Sequence, residues 1–139
     1  MSEEAKIAEI ERRRADRKAK QQALCDAQYA IDLEAVDALE VEHGEGSVAV
    51  LRVPYTEGLP VLIVVRKPTS AELKRYRARL KEKRPDMVAA AEELADVVRL
   101  YPDADHYSLL RENRPGVHSQ LGVESLKLSV AATEEEGKG

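Results

Sequence analysis

The sequence predicts a mainly helical α+β fold: a long N-terminal helix, one antiparallel β-hairpin and a C-terminal bundle of short helices. Three observations predict it. Residues 3–42 hold neither Pro nor Gly and are dominated by Ala, Glu, Lys, Arg and Gln, all good helix formers. Val48-Ala49-Val50-Leu51-Arg52-Val53 and Val61-Leu62-Ile63-Val64-Val65-Arg66 are the only segments dense in β-branched residues, and Pro54 to Pro60 joins them as a turn. From Thr69 on, apolar residues recur at spacings of three and four between the breaks at Pro85, Pro102 and Pro115.

The long helix starts well. Ser2 is a capping residue, and Glu3 and Glu4 suit the positive end of the helix dipole. Its halves differ. Leu24, Ala27, Ile31, Ala35 and Ala38/Leu39 form an apolar stripe at helical spacing, whereas Glu11 to Gln22 offers only Ala15 and Ala19. The first half is therefore a solvated or weakly coiled-coil arm, or a segment that orders on binding. His43-Gly44-Glu45-Gly46-Ser47 ends the helix, with Gly44 as the stop.

In the hairpin both alternating faces of the second strand are apolar: Val61, Ile63 and Val65 on one, Leu62 and Val64 on the other. That pattern demands cover on both sides, from the chain's own helices or from a second molecule. Pro68-Thr69-Ser70-Ala71-Glu72 then opens a helix with a capping box, in which Thr69 and Glu72 satisfy each other's backbone amides. Leu73, Tyr76 and Leu80 form its inward stripe, and Lys74, Arg75, Arg77, Arg79 and Lys81 face out. After Pro85-Asp86, Val88, Ala91, Leu94/Ala95 and Val98 mark an amphipathic helix that ends at Tyr101-Pro102-Asp103. Asp103 or Asp105 caps a short helix carrying Tyr107 and Leu110, and Val117, Leu121, Leu126, Leu128 and Val130 outline a last helix, irregular at Gly122.

The chain of 139 residues fits an N-terminal arm (1–43), a hairpin-plus-helix domain (44–130) and a flexible tail (131–139). There is no Phe or Trp, so Ala, Val, Leu and Ile must build the core. The net charge of −4 gives no overall pull toward nucleic acid or an anionic membrane. A single cysteine, Cys25, allows no disulfide within the chain. The start Met1-Ser2-Glu3-Glu4 has no apolar signal core, and no apolar run approaches the ~20 residues that span a bilayer. A cytoplasmic protein without membrane contact is expected.

No chemistry-bearing constellation emerges, so no enzyme, metal or cofactor is expected. His43, His106 and His118 lack any paired ligand spacing, and helix capping accounts for Asp103 and Asp105 beside His106. Cys25 sits on an amphipathic helix as a small packing residue. Ser108, Ser119 and Ser125 lack a nucleophile elbow, and Gly44-x-Gly46 precedes a strand where a phosphate loop precedes a helix. The basic runs Arg12–Lys20 and Lys74–Lys81 are flanked by acids and carry no readout motif, so solvated helix faces explain them better than nucleic-acid binding.

Val65-Arg66-Lys67-Pro68-Thr69 followed by Ala71-Glu72-Leu73 and Arg75-Tyr76 resembles the phage tail assembly chaperone family. So do Val98-Arg99-Leu100-Tyr101-Pro102-Asp103, then Leu109-Leu110, Arg114-Pro115-Gly116 and Leu121-Gly122. The likeness spans about residues 48–130, and the long N-terminal helix lies outside it. The resemblance implies a non-enzymatic cytoplasmic helper that binds tape measure protein, keeps its apolar helices soluble, and helps tail tube subunits add. Such a holdase needs exposed apolar surface. Val61, Ile63, Val65 and Tyr76 are expected to line it, with Arg75 and Arg77 at the rim, and the N-terminal helix is expected to mediate either self-association into a homo-oligomer or client contact. The rival readings are a structural tail or baseplate subunit of a phage-like particle and a small nucleic-acid-binding regulator.

Overall fold

The computed structural model describes residues 2–138, and side chains as far as Val130. Its elements are α1 (Glu3–His43), β1 (Val48–Arg52), β2 (Leu62–Arg66), α2 (Ser70–Leu80), α3 (Met87–Val98), β3 (Arg99–Tyr101), α4 (Ala104–Asn113) and α5 (Val117–Lys138). The mainly helical α+β class is as expected, with one addition. The hairpin is not alone: β3 joins it to make an antiparallel sheet of order β1-β2-β3. The expected flexible tail, residues 131–139, lies outside the residues with described side chains.

Local chemistry sets the element ends. The Ser2 hydroxyl accepts from the Ala5 amide at 3.1 Å, and Gly44, at φ +91°, closes α1 by donating its amide to the Glu40 carbonyl at 2.8 Å. Thr69 and Glu72 form the reciprocal capping box of α2. Asp86 caps α3, and Asp103 caps α4.

β1 pairs with β2 from Val48↔Arg66 to Arg52↔Leu62, and β3 pairs with the other edge of β2 at Val64↔Tyr101 and Val65↔Arg99, with a register irregularity between them. β2 is thus the central strand. Its two apolar faces are both covered from within the chain, which makes a three-layer arrangement. Ile63 and Val65 pack under Leu94, Ala95 and Val98 of α3, Tyr107 and Leu110 of α4, and Val117 and Leu121 of α5. Val61, Leu62 and Val64 pack under Val36 of α1, with Tyr29, Leu39, Leu100 and Tyr101 around them. Val61 precedes the strand and joins the α1 side, not the Ile63/Val65 side that simple alternation assigns it.

Three further corrections concern helix phase. The face of α1 that meets the sheet is Cys25, Tyr29, Asp32, Val36 and Leu39, so Leu24 and Ile31 of the expected stripe stay 49% and 60% exposed. The cause is Asp32, whose carboxylate is needed at the sheet and turns the helix. In α3, Val88 is exposed and Ala90 buried: Ala91 takes the close approach of α5 at Gly122, while Ala90 lies on the side toward Tyr76 of α2. α5 passes through Gly122 without a break: a Cβ there would lie 2.1 Å from the Ala91 carbonyl oxygen, so glycine permits the helix contact rather than disturbing the helix.

Candidate partner-binding groove

Three of the residues expected to line a docking surface do not reach solvent. Val61 and Ile63 are 0% exposed and Val65 is 1% exposed. Burying apolar area inside the chain offsets the entropy of folding, so α1 and α3–α5 have taken both faces that the hairpin offers. The remaining expected residues part company. Arg75 and Tyr76 lie together at a groove between α2 and α3, whereas Arg77 is exposed and does not line it.

The groove is built from two amphipathic helices that meet at an apolar seam. Tyr76 of α2 is half-buried against the main core. Opposite it stand Ala90, Glu93, Leu94 and Val97 of α3, with Glu72 and Arg75 completing the lining around a cavity of about 150 Å³. The small Ala90 opens the floor. Val97 is 42% exposed, and Met87 and Val88 add apolar surface on the same helix. The groove therefore joins an apolar floor to a rim with both signs of charge, from Arg75 and Glu93.

One end is fixed by Arg66 at the end of β2. Its guanidinium donates two bonds to Glu72, at 2.7 and 2.9 Å, and a third to the Val97 carbonyl at 2.8 Å. A single side chain thus ties β2, α2 and the last turn of α3. Two parallel bonds from a planar fork are the strong form of an ion pair. The bond from Arg66 holds the Glu72 carboxyl down at about 2, against the cost of burial and with help from the Thr69 amide. The other end is bridged by Arg79, which meets Glu93 at 3.0 Å and Glu82 at 2.9 Å.

Elsewhere, polar side chains serve the fold. Asp103 accepts from the His106 amide at 2.9 Å, and its carboxylate meets the His106 ring at 2.7 Å, which is a cap with a side-chain contact added. His118 is buried at 1% exposure between α3 and α4. Its Nδ1 lies 2.5 Å from the Tyr107 hydroxyl, and its Nε2 lies 2.7 Å from an Asp96 carboxylate oxygen without the alignment of a hydrogen bond. Burial pushes the Tyr107 hydroxyl up to about 12. Asp96, His118 and Tyr107 follow one another in a row, with the His118 and Tyr107 ends buried at 1% and 3% exposure. Among the described residues no three of His, Cys, Asp and Glu converge in a metal-binding group, and no helix is long and apolar enough to cross a membrane.

Sequence reasoning missed Asp32. It is 0% exposed, and it accepts from the Val61 amide at 2.7 Å, the Leu62 amide at 3.3 Å, Gln28 Nε2 at 2.9 Å and the Tyr101 hydroxyl. Burial, then the Asp32 carboxylate, pushes the Tyr101 hydroxyl upward. An acid among helix positions reads as surface. The one available signal was its place between Tyr29 and Val36 at spacings of three and four.

Comparison with family models, with curated proteins and with solved structures finds no match for this chain.

Proposed function

We propose that this protein is a non-enzymatic tail assembly chaperone of a phage or phage-derived particle. It binds tape measure protein, keeps that client's apolar helices soluble in the bacterial or infected cytoplasm, and assists addition of tail tube subunits. One observation carries the reading: Glu72, Arg75 and Tyr76, which belong to the stretch that resembles the chaperone family, line the α2–α3 groove. The groove suits an amphipathic client helix, because its floor is apolar and its rim offers charges of both signs. The docking surface in this proposal is that groove, in place of the enclosed hairpin.

Co-expression with the tape measure protein of the same particle tests it. The wild-type chain is expected to co-purify with the client, Val97→Arg to lose most of it, and Arg77→Ala to retain it. Failure to co-purify from a soluble lysate, with normal tails in a deletion strain, would overturn the proposal. The second reading, a structural tail or baseplate subunit, draws on the exposed arm of α1. Mass spectrometry of purified particles separates the two, since a chaperone is expected to be absent or very scarce there.

A further inference from the structure

α1 is a helix of 41 residues, about 60 Å long at ~1.5 Å per residue, and only its second half meets the sheet. The back of the helix repeats with a period of seven. Ile10, Arg17, Leu24, Ile31 and Ala38 share one heptad position, and Arg13, Lys20, Ala27, Glu34 and Val41 share the position three residues on. At about 100° per residue, this seam lies nearly opposite the sheet-facing line of Cys25, Tyr29, Asp32, Val36 and Leu39. Ile10, Leu24, Ile31 and Val41 on the seam are exposed.

The charge along α1 is divided. Residues 12–20 hold six basic side chains and one acid, while residues 21–43 hold six acids and neither Lys nor Arg. Most of this charge is unpaired among the described residues. Arg12 and Arg13 meet Glu9 or Asp16, but Arg14, Arg17, Lys18, Lys20, Glu34, Asp37, Glu40 and Glu42 form no ion pair among the described residues.

We infer that a second copy of this chain pairs antiparallel with α1 along that seam. A parallel pair would stack basic block on basic block and acidic on acidic. The antiparallel pair lays each basic block on the other's acidic block, which is the arrangement that charge complementarity selects. One register matches best: Leu24 meets the partner's Ala27, Ile10 meets the partner's Val41, and Arg17 meets the partner's Glu34. Ile31 then packs on the aliphatic stem of the partner's Lys20. Asp16 and the partner's Asp37 are the like-charged pair of this register, and Arg12 and Arg13 flank them. The sheet of each copy lies on the far side of its own α1, so the two bodies do not obstruct the seam. The inference does not rest on the chaperone reading, because the groove lies on other helices.

The test uses the full-length chain with Cys25→Ser. Arg17→Cys and Glu34→Cys together are expected to yield a disulfide-linked dimer under mild oxidation, while each single replacement stays uncrosslinked. Within one helix these positions are about 26 Å apart, so the bridge can only join two copies. Sedimentation equilibrium of the wild type is expected to show a dimer that weakens with added salt, and Leu24→Glu with Ile31→Glu to weaken it at least about tenfold while far-ultraviolet circular dichroism holds. A monomer at about 100 μM in low salt overturns the inference. So does cross-linking of either single-cysteine chain to itself, or a dimer indifferent to the two glutamates.

Discussion

Two residues show how much a single atom position decides. Asp32 brings an acidic side chain into the interior with no ion pair among the described residues, which costs free energy unless each lone pair finds a donor. Two backbone amides, a side-chain amide and a phenol supply them. Asp32→Ala would strand buried donors at the entry of β2 and is expected to cost about 3–5 kcal/mol, a large part of a domain's stability, measured by urea unfolding. Gly122 is the converse case, where absence of an atom matters. Gly122→Ala would push a methyl group into the Ala91 carbonyl. Overpacking against backbone cannot relax by a rotamer change, so the variant is expected to lose about 2–3 kcal/mol even though alanine favours helix. An unchanged melting temperature would contradict the close α3–α5 approach.

At the scale of elements, the Arg66–Glu72 pair couples β2 to both walls of the groove. Its pH dependence has a definite sign. The folded-state value for Glu72 is depressed, from an ordinary 4.5 to about 2. The pair's contribution is therefore complete above about pH 4.5 and fades as the pH falls toward 2. Glu72→Gln is expected to lower stability by about 1–3 kcal/mol at neutral pH and to flatten the acid limb of the stability profile between those values. Equal acid sensitivity in wild type and variant would show that the pair is not formed. The caps of α1, α2, α3 and α4 are short-range chemistry, and each stands where its sequence signal lies. β3 had no such signal. Arg99-Leu100-Tyr101 is too short to show alternation and follows a helix directly, and its extended form depends on an open edge of β2 to pair with.

Over the whole molecule, the sheet is sandwiched and the arm is free. Among the described residues those before Cys25 are exposed, apart from half-buried Glu9 beside its arginines. Deletion of residues 1–22 is expected to leave the thermal unfolding of the body within a few degrees of wild type, because it removes no buried area. Deletion through Gly44 would uncover Val61, Leu62 and Val64 and is expected to yield insoluble protein. Circular dichroism melts and soluble yield check both. If the short deletion unfolds the body, the arm packs more than its exposure indicates. The same short deletion removes the basic block of α1 and is expected to leave a monomer, which links this scale to the inferred pairing.

What the sequence by itself determined was local: the caps, the Gly44 stop, the hairpin and its turn, and the helical segments after it. Each follows from interactions within a few residues, which any fold containing the segment must respect. It also dictated that β2 needs cover on both faces. Only the tertiary structure decided what covers them, and therefore that Val61, Ile63 and Val65 are core while Arg75 and Tyr76 border a groove. It also decided which stripe of α1 turns inward. The reason is that a helix with apolar residues on two sides has no preferred phase until a partner surface, here the β2 amides facing Asp32, selects one.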